Sequence, residues 1–127
     1  MSAGKLNLSI EQGATWDLQL IVFEPDGETL RDLTIYTARM QIREKKNSSI
    51  CQLELTTETG GLELGGALGT IDIHLSAAQT ASLTFSTAYW DLELVSEGSD
   101  DLAGEVIVER LVEGPVILSK EVTKEIV

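Results

Sequence analysis

The chain has 127 residues, 43% of them hydrophobic, with twenty-one acidic and nine basic side chains and a formal net charge of −12. That length suits one domain with its own core, the charge repels a phosphate backbone and argues against nucleic acid as a partner, and no apolar run reaches the roughly 18 residues that a membrane-spanning helix needs. Cys51 is the one cysteine, which excludes an intrachain disulfide framework and fits a reducing compartment during folding. Residues 1–10 alternate instead of forming the apolar block of a secretion signal. The expectation is a protein that acts where it is made or is carried out by another.

Periodicity then sets out the elements. Residues 6–10 predict a first strand, with Leu6, Leu8 and Ile10 on one face, interrupted by Gln12-Gly13. A second strand is expected over 16–23, with Trp16, Leu18, Leu20 and Val22 in phase, Asp17 and Gln19 opposite, and a far end made apolar on both faces by Ile21 and Phe23. Glu24-Pro25-Asp26-Gly27 ends it: proline presets φ, aspartate bonds its own backbone and glycine accepts positive φ. The turn reads as a hairpin or a sandwich corner. After a short link at 30–33, residues 37–45 predict a strand with Ala38, Met40 and Ile42 inward and Arg39, Gln41, Arg43 and Lys45 outward. Asn47-Ser48-Ser49 returns it as a strand over 51–56, a second hairpin.

Gly60-Gly61 and Gly65-Gly66 flank Leu62-Glu63-Leu64. No Gly-Lys-Ser/Thr follows and no helix opens there, so tight turns around a short strand explain these glycines better than a phosphate loop. Residues 70–75 predict a strand, Ser76-Ala77-Ala78-Gln79 is a capping-box pattern opening a turn or two of helix that ends near Leu83, and 89–95 predict a further strand. An acidic turn at 97–101, a strand over 105–111, a break at Gly114-Pro115 and a resumed strand over 116–118 precede the charged end at 120–127. About eight or nine short strands, turns every ~8–12 residues and one short helix indicate an all-β sandwich. It occupies 1–127 as a single domain, with 119–127 as a C-terminal extension.

Chemistry is sparse. One histidine and one cysteine cannot build a transition-metal site. His74 falls on the polar phase of its strand, and Cys51 is in phase with Leu53 and Leu55 as a small core residue. Asp91 and Glu93 share a face at a Cα separation of about 6.6 Å, which any alternating acidic strand produces. With two Trp, two Tyr and two Phe, no aromatic substrate cleft accompanies them. The segment Glu97-Gly98-Ser99-Asp100-Asp101 lacks the spacing of a calcium loop. These features predict no catalytic residue, no metal and no cofactor. One asymmetry stands out: Arg39, Arg43, Lys45 and Lys46 gather four of the nine basic residues on one strand and its turn. Such a stripe suits an acidic neighbouring surface, that of another copy included, and equally suits charge balance or a lysine-guarded edge strand.

The segments Ile10-Glu11-Gln12-Gly13-Ala14-Thr15-Trp16, Asp32-Leu33-Thr34, Tyr36-Thr37-Ala38-Arg39-Met40-Gln41-Ile42-Arg43, Leu55-Thr56-Thr57-Glu58, Gly69-Thr70-Ile71, Leu75-Ser76-Ala77-Ala78 and Tyr89-Trp90-Asp91-Leu92-Glu93-Leu94 occur in this order. Together they resemble a family of small tailed-bacteriophage and prophage proteins encoded among tail, baseplate and fibre genes. The resemblance runs from about Ile10 to Thr123, and Ile35 stands where it would put a glycine. It implies an immunoglobulin-like antiparallel β-sandwich, similar to the N-terminal domain of baseplate upper proteins, with the short helix as a crossover. It also implies a non-enzymatic virion part, made in the host cytoplasm and placed in the tail or baseplate, where it docks fibre or receptor-binding modules. Its partners would be other phage structural proteins and further copies of itself, with no nucleic acid and no membrane. Partner contacts are expected at Arg39, Arg43, Lys45 and Lys46, and at Val122 and Ile126, because residues 116–127 follow the glycine-proline break and can extend a neighbour's sheet. A head or neck decoration protein is the alternative. A carbohydrate-binding module is a further one, and needs Trp16, Tyr36, Tyr89 and Trp90 on an exposed platform.

Overall fold

A computed structural model describes residues 3–96 and 106–124. Nine strands are described: β1 (Gly4–Lys5), β2 (Leu8–Glu11), β3 (Trp16–Ile21), β4 (Tyr36–Arg43), β5 (Leu53–Thr56), β6 (Leu62–Leu64), β7 (Thr70–Leu75), β8 (Thr87–Ser96) and β9 (Ile107–Ser119), with one helix, α1 (Ala77–Ala81). They form two sheets. One runs β1-β9-β8-β4-β5, with β2 also on β9, and the other runs β3-β7-β6. Period-two burial explains why they stack: Ile71, Ile73 and Leu75 from the small sheet and Met40, Ile42, Leu92 and Leu94 from the large one are almost fully buried in one cluster. The result is the expected all-β, immunoglobulin-like sandwich, and α1 carries the chain from β7 in one sheet to β8 in the other.

Local signals became structure where the sequence placed them. Ser76 accepts from the Gln79 amide at 3.1 Å and the Gln79 side chain accepts from the Ser76 amide at 2.9 Å, a complete capping box on a five-residue helix. The Pro25 turn is a sandwich corner: β3 lies in the small sheet and β4 in the large one, with a single antiparallel bridge, Phe23 to Leu30, between them. Gly69 adopts φ 69° where an added Cβ would lie 2.8 Å from the Val22 carbonyl, so this glycine serves close backbone approach.

Two expectations need correction. The sandwich is not wholly antiparallel, because β1 and β2 pair with β9 in parallel. β2 has to finish at the end where β3 begins, only residues 12–15 later, and that fixes its direction along the edge of β9. Nor does Gly114-Pro115 break the last strand, which runs unbroken through both. The Leu118 amide donates toward β8, to Ser86, while the Glu113 carbonyl accepts from Leu6 in the N-terminal segment. Odd positions of this stretch therefore face the N-terminal segment, and the missing N–H of Pro115 falls where that segment steps from β1 to β2. Gly114 makes the step fit: a Cβ there would collide with the Leu6 carbonyl oxygen, which accepts from the Trp90 indole at 3.0 Å. Part of the stretch expected to extend a neighbour's sheet, 116–127, is thereby already paired within the chain. Residues 116–119 pair with β2, and 116 and 117 with β8 as well, leaving 120–124 as non-strand chain among the described residues.

The two ends of the sandwich differ in what they carry. β4 and β9 start at one, beside residues 22–35, here called the link end. They finish at the other, beside α1, the helix end.

Candidate functional site

The outer face of the six-stranded sheet carries the paired carboxylates and the first cation of the basic stripe. Strand register sets charges opposite one another: Arg39 pairs with Glu93 at 2.7 Å, Arg110 reaches Asp91 at 3.5 Å and Glu113 at 3.6 Å, and Lys5 pairs with Glu113 at 2.7 Å. Hydrogen bonding from Lys5 holds the Glu113 carboxyl below its ordinary value. Asp91 moves the other way, raised first by burial and then by the neighbouring charge of Glu93. Arg39 thus belongs to a compensated ladder.

The other cations of that stripe lie at the helix end. The Arg43 guanidinium donates to the Gln41 side-chain oxygen at 2.8 Å and the Ser48 carbonyl at 3.1 Å, two neutral acceptors. Lys45 is exposed, and the Lys46 ammonium stands 5.4 Å from the centroid of the half-exposed Tyr89 ring. Arg43, Lys46, Tyr89 and Arg110, with the carboxylates Asp91 and Glu113, line a shallow depression of ≈170 Å³. Lys120 joins this end by donating to the Thr84 carbonyl at 2.6 Å. Val122 projects here with 94% exposure, and Ile126 lies outside the described residues. The acidic segment 97–101 also lies outside them.

The link end holds a cluster that the sequence patterns do not reveal. Arg31 donates to Glu109 through both terminal nitrogens, at 2.9 and 2.8 Å, and to the Tyr36 hydroxyl at 3.0 Å, with its guanidinium 5.1 Å from the Tyr36 ring centroid. Hydrogen bonding to Glu109 raises the Arg31 pKa, and the same contact lowers that of Glu109. The only sequence signal was weak: Glu109 is a carboxylate on the inward phase of a strand, and an inward charge needs a partner. Around this polar plug lie exposed apolar side chains, among them Phe23, Leu30, Ile35, Leu68 and Ile107.

The remaining candidates fall apart in space. Cys51 is half-buried beside the Leu53 carbonyl, 3.1 Å away, at the mouth of β5, whereas His74 pairs with Asp17 at 2.6 Å on the outside of the other sheet. Trp90 is buried, Trp16 is half-buried and donates to the Ser9 carbonyl at 2.9 Å, Tyr36 binds Arg31, and Tyr89 alone among the four is exposed. These rings form no common platform. Among the described residues no group of three His, Cys, Asp or Glu side chains is placed to hold a metal ion, and no helix is long and apolar enough to cross a membrane. Compared with protein-family models and with curated proteins, the chain matches none.

Proposed function

We propose that this chain is a non-enzymatic structural part of a tailed-phage particle, an adaptor of the tail or baseplate that docks fibre or receptor-binding modules. The observation that carries the reading is the location of the resembling segments. Tyr36-Thr37-Ala38-Arg39-Met40-Gln41-Ile42-Arg43 is β4, and Tyr89-Trp90-Asp91-Leu92-Glu93-Leu94 lies within β8, paired to it residue by residue from Arg43 and Tyr89 onward. These two strands are the middle of the large sheet, and they set both the core and the charged outer face. A rigid sandwich of this kind suits presentation of its ends and edges to neighbours in a repeating assembly. The dispersed aromatic rings favour docking over sugar recognition, which relies on exposed aromatic surface.

The test is biochemical. Particles encoding this chain are purified and separated into head and tail fractions, and each fraction is analysed by mass spectrometry. The expected result is the chain in stoichiometric amount with the tail fraction. Recovery with heads would transfer it to decoration, and absence from purified particles would overturn the structural reading.

A further inference from the structure

The ends of the sandwich differ in charge. At the helix end, Arg43, Lys45, Lys46 and Lys120 lie together without an ion pair among the described residues, whereas Lys5, Arg31, Arg39 and Arg110 are each paired elsewhere. Lys45 lines the same concavity as Thr84, whose carbonyl holds Lys120, and Glu44 is the carboxylate among them. Glu121, the next residue, packs its carboxylate against Gly13, in the space an added Cβ would take. Asp91 and Glu113 line the depression beside Arg43 and Lys46, and Glu11 is exposed where β2 ends, so the surplus of cations is concentrated at Lys45, Lys46 and Lys120 in a chain of net charge −12.

At the link end, Glu24, Asp26, Glu28 and Asp32 are all exposed on residues 22–35, whose one basic residue, Arg31, is turned inward to Glu109. Thr29 and Thr34 hydrogen-bond Asp26 and Asp32 and hold both carboxyls below their ordinary values, so they stay ionised. Apolar groups accompany each charge set. Phe23 and Leu30 are 46% and 43% exposed beside the carboxylates, and Tyr89 and Ile50 are 43% and 68% exposed beside the cations. Each end therefore offers a charged rim around apolar surface, with opposite signs, as a self-complementary pair of faces requires.

We propose that the cationic helix end of one copy receives the acidic link end of a second copy, Phe23 and Leu30 packing near Tyr89 while Glu24 and Glu28 meet Lys45, Lys46 and Lys120. The two faces are different patches of one surface, so the contact is heterologous and propagates head to tail, as a ring or an open row. The inference deepens the reading of this chain as an assembly part. It is tested on the purified chain, so its failure would be distinguishable from failure to find the chain in particles.

The experiment is sedimentation over a range of concentrations at salt of about 0.01 M and about 0.15 M, where the screening length is about 30 and about 8 Å. Association at low salt that weakens at the higher salt is expected. Two variants, Lys45→Glu/Lys46→Glu and Glu24→Lys/Glu28→Lys, each reverse two of the contacting charges of one end at exposed positions, and each is expected to weaken self-association by about tenfold or more. Mixed, they join one intact helix end to one intact link end and set the reversed charges of the other two ends opposite each other, so self-association is expected to return. Unchanged thermal unfolding checks the fold, and Glu24→Gln/Glu28→Gln carries the same comparison if a reversal variant unfolds. A chain that stays monomeric at low salt, association that neither reversal weakens, or a mixture in which association does not return would overturn the proposal.

Discussion

Arg31 and Glu109 stand 78 residues apart in the chain, yet they meet through two parallel hydrogen bonds. The Arg31 side chain is 17% exposed and that of Glu109 is 37% exposed, so solvent screens the pair in part. We expect Arg31→Met or Glu109→Gln to cost about 1–2 kcal/mol in chemical denaturation, below the several kcal/mol of a fully buried pair. The pH dependence has a definite sign. Glu109 has a folded pKa below its unfolded value of about 4.3, so its contribution is present above that pH and is lost as pH falls through the folded value. Arg31 is raised and remains protonated throughout this window, so it adds no slope there. Asp91 behaves oppositely. Its folded pKa is raised, so folding loses stability as pH climbs from the unfolded value of about 3.9 through the folded one. Melting curves between acid and neutral pH should therefore lose part of their acid sensitivity in Glu109→Gln, whereas Asp91→Asn should gain stability toward neutral pH relative to the parent. The reverse pattern would contradict these assignments. The sequence hid the Arg31 contact because nothing local to either residue encodes a partner so far along the chain.

At the scale of elements, what was legible was local. Alternation predicted the buried face of β4, β7 and β8, because period-two burial needs no knowledge of the partner strand. Ser76 and Gln79 predicted their own cap, three residues apart. Gly114-Pro115 misled for the opposite reason: the pair reads locally as a breaker, but its setting is created by Leu6 and Trp90, from opposite parts of the chain. The basic stripe likewise changed meaning once Glu93 came opposite Arg39, since strand register is a property of the fold. Gly114→Ala tests the close approach directly. A methyl group there meets the Leu6 carbonyl, and displacing that segment breaks the indole hydrogen bond. We expect a loss of about 1–3 kcal/mol together with a changed Trp90 emission. Unaltered stability and emission would show that the N-terminal segment tolerates the methyl.

At the scale of the whole molecule, one apolar cluster joins both sheets, so neither has a core of its own. Trp16 reports on the three-stranded sheet and Trp90 on the six-stranded one. Single-tryptophan variants Trp16→Phe and Trp90→Phe should each give one unfolding transition whose fluorescence midpoint coincides with that of circular dichroism. Separate midpoints for the two probes in either variant would mean that the sheets open independently. A body whose two sheets share one core, with charged ends of opposite sign, is suited to the proposed role of transmitting position from one neighbour to the next.

The assembly claim is tested most directly by imaging. Intact particles encoding this chain, labelled with an antibody against it and viewed by electron microscopy, should carry signal at the tail tip or at the base of the fibres. Particles of normal appearance that carry no label, while the purified chain binds the same antibody, would contradict that claim.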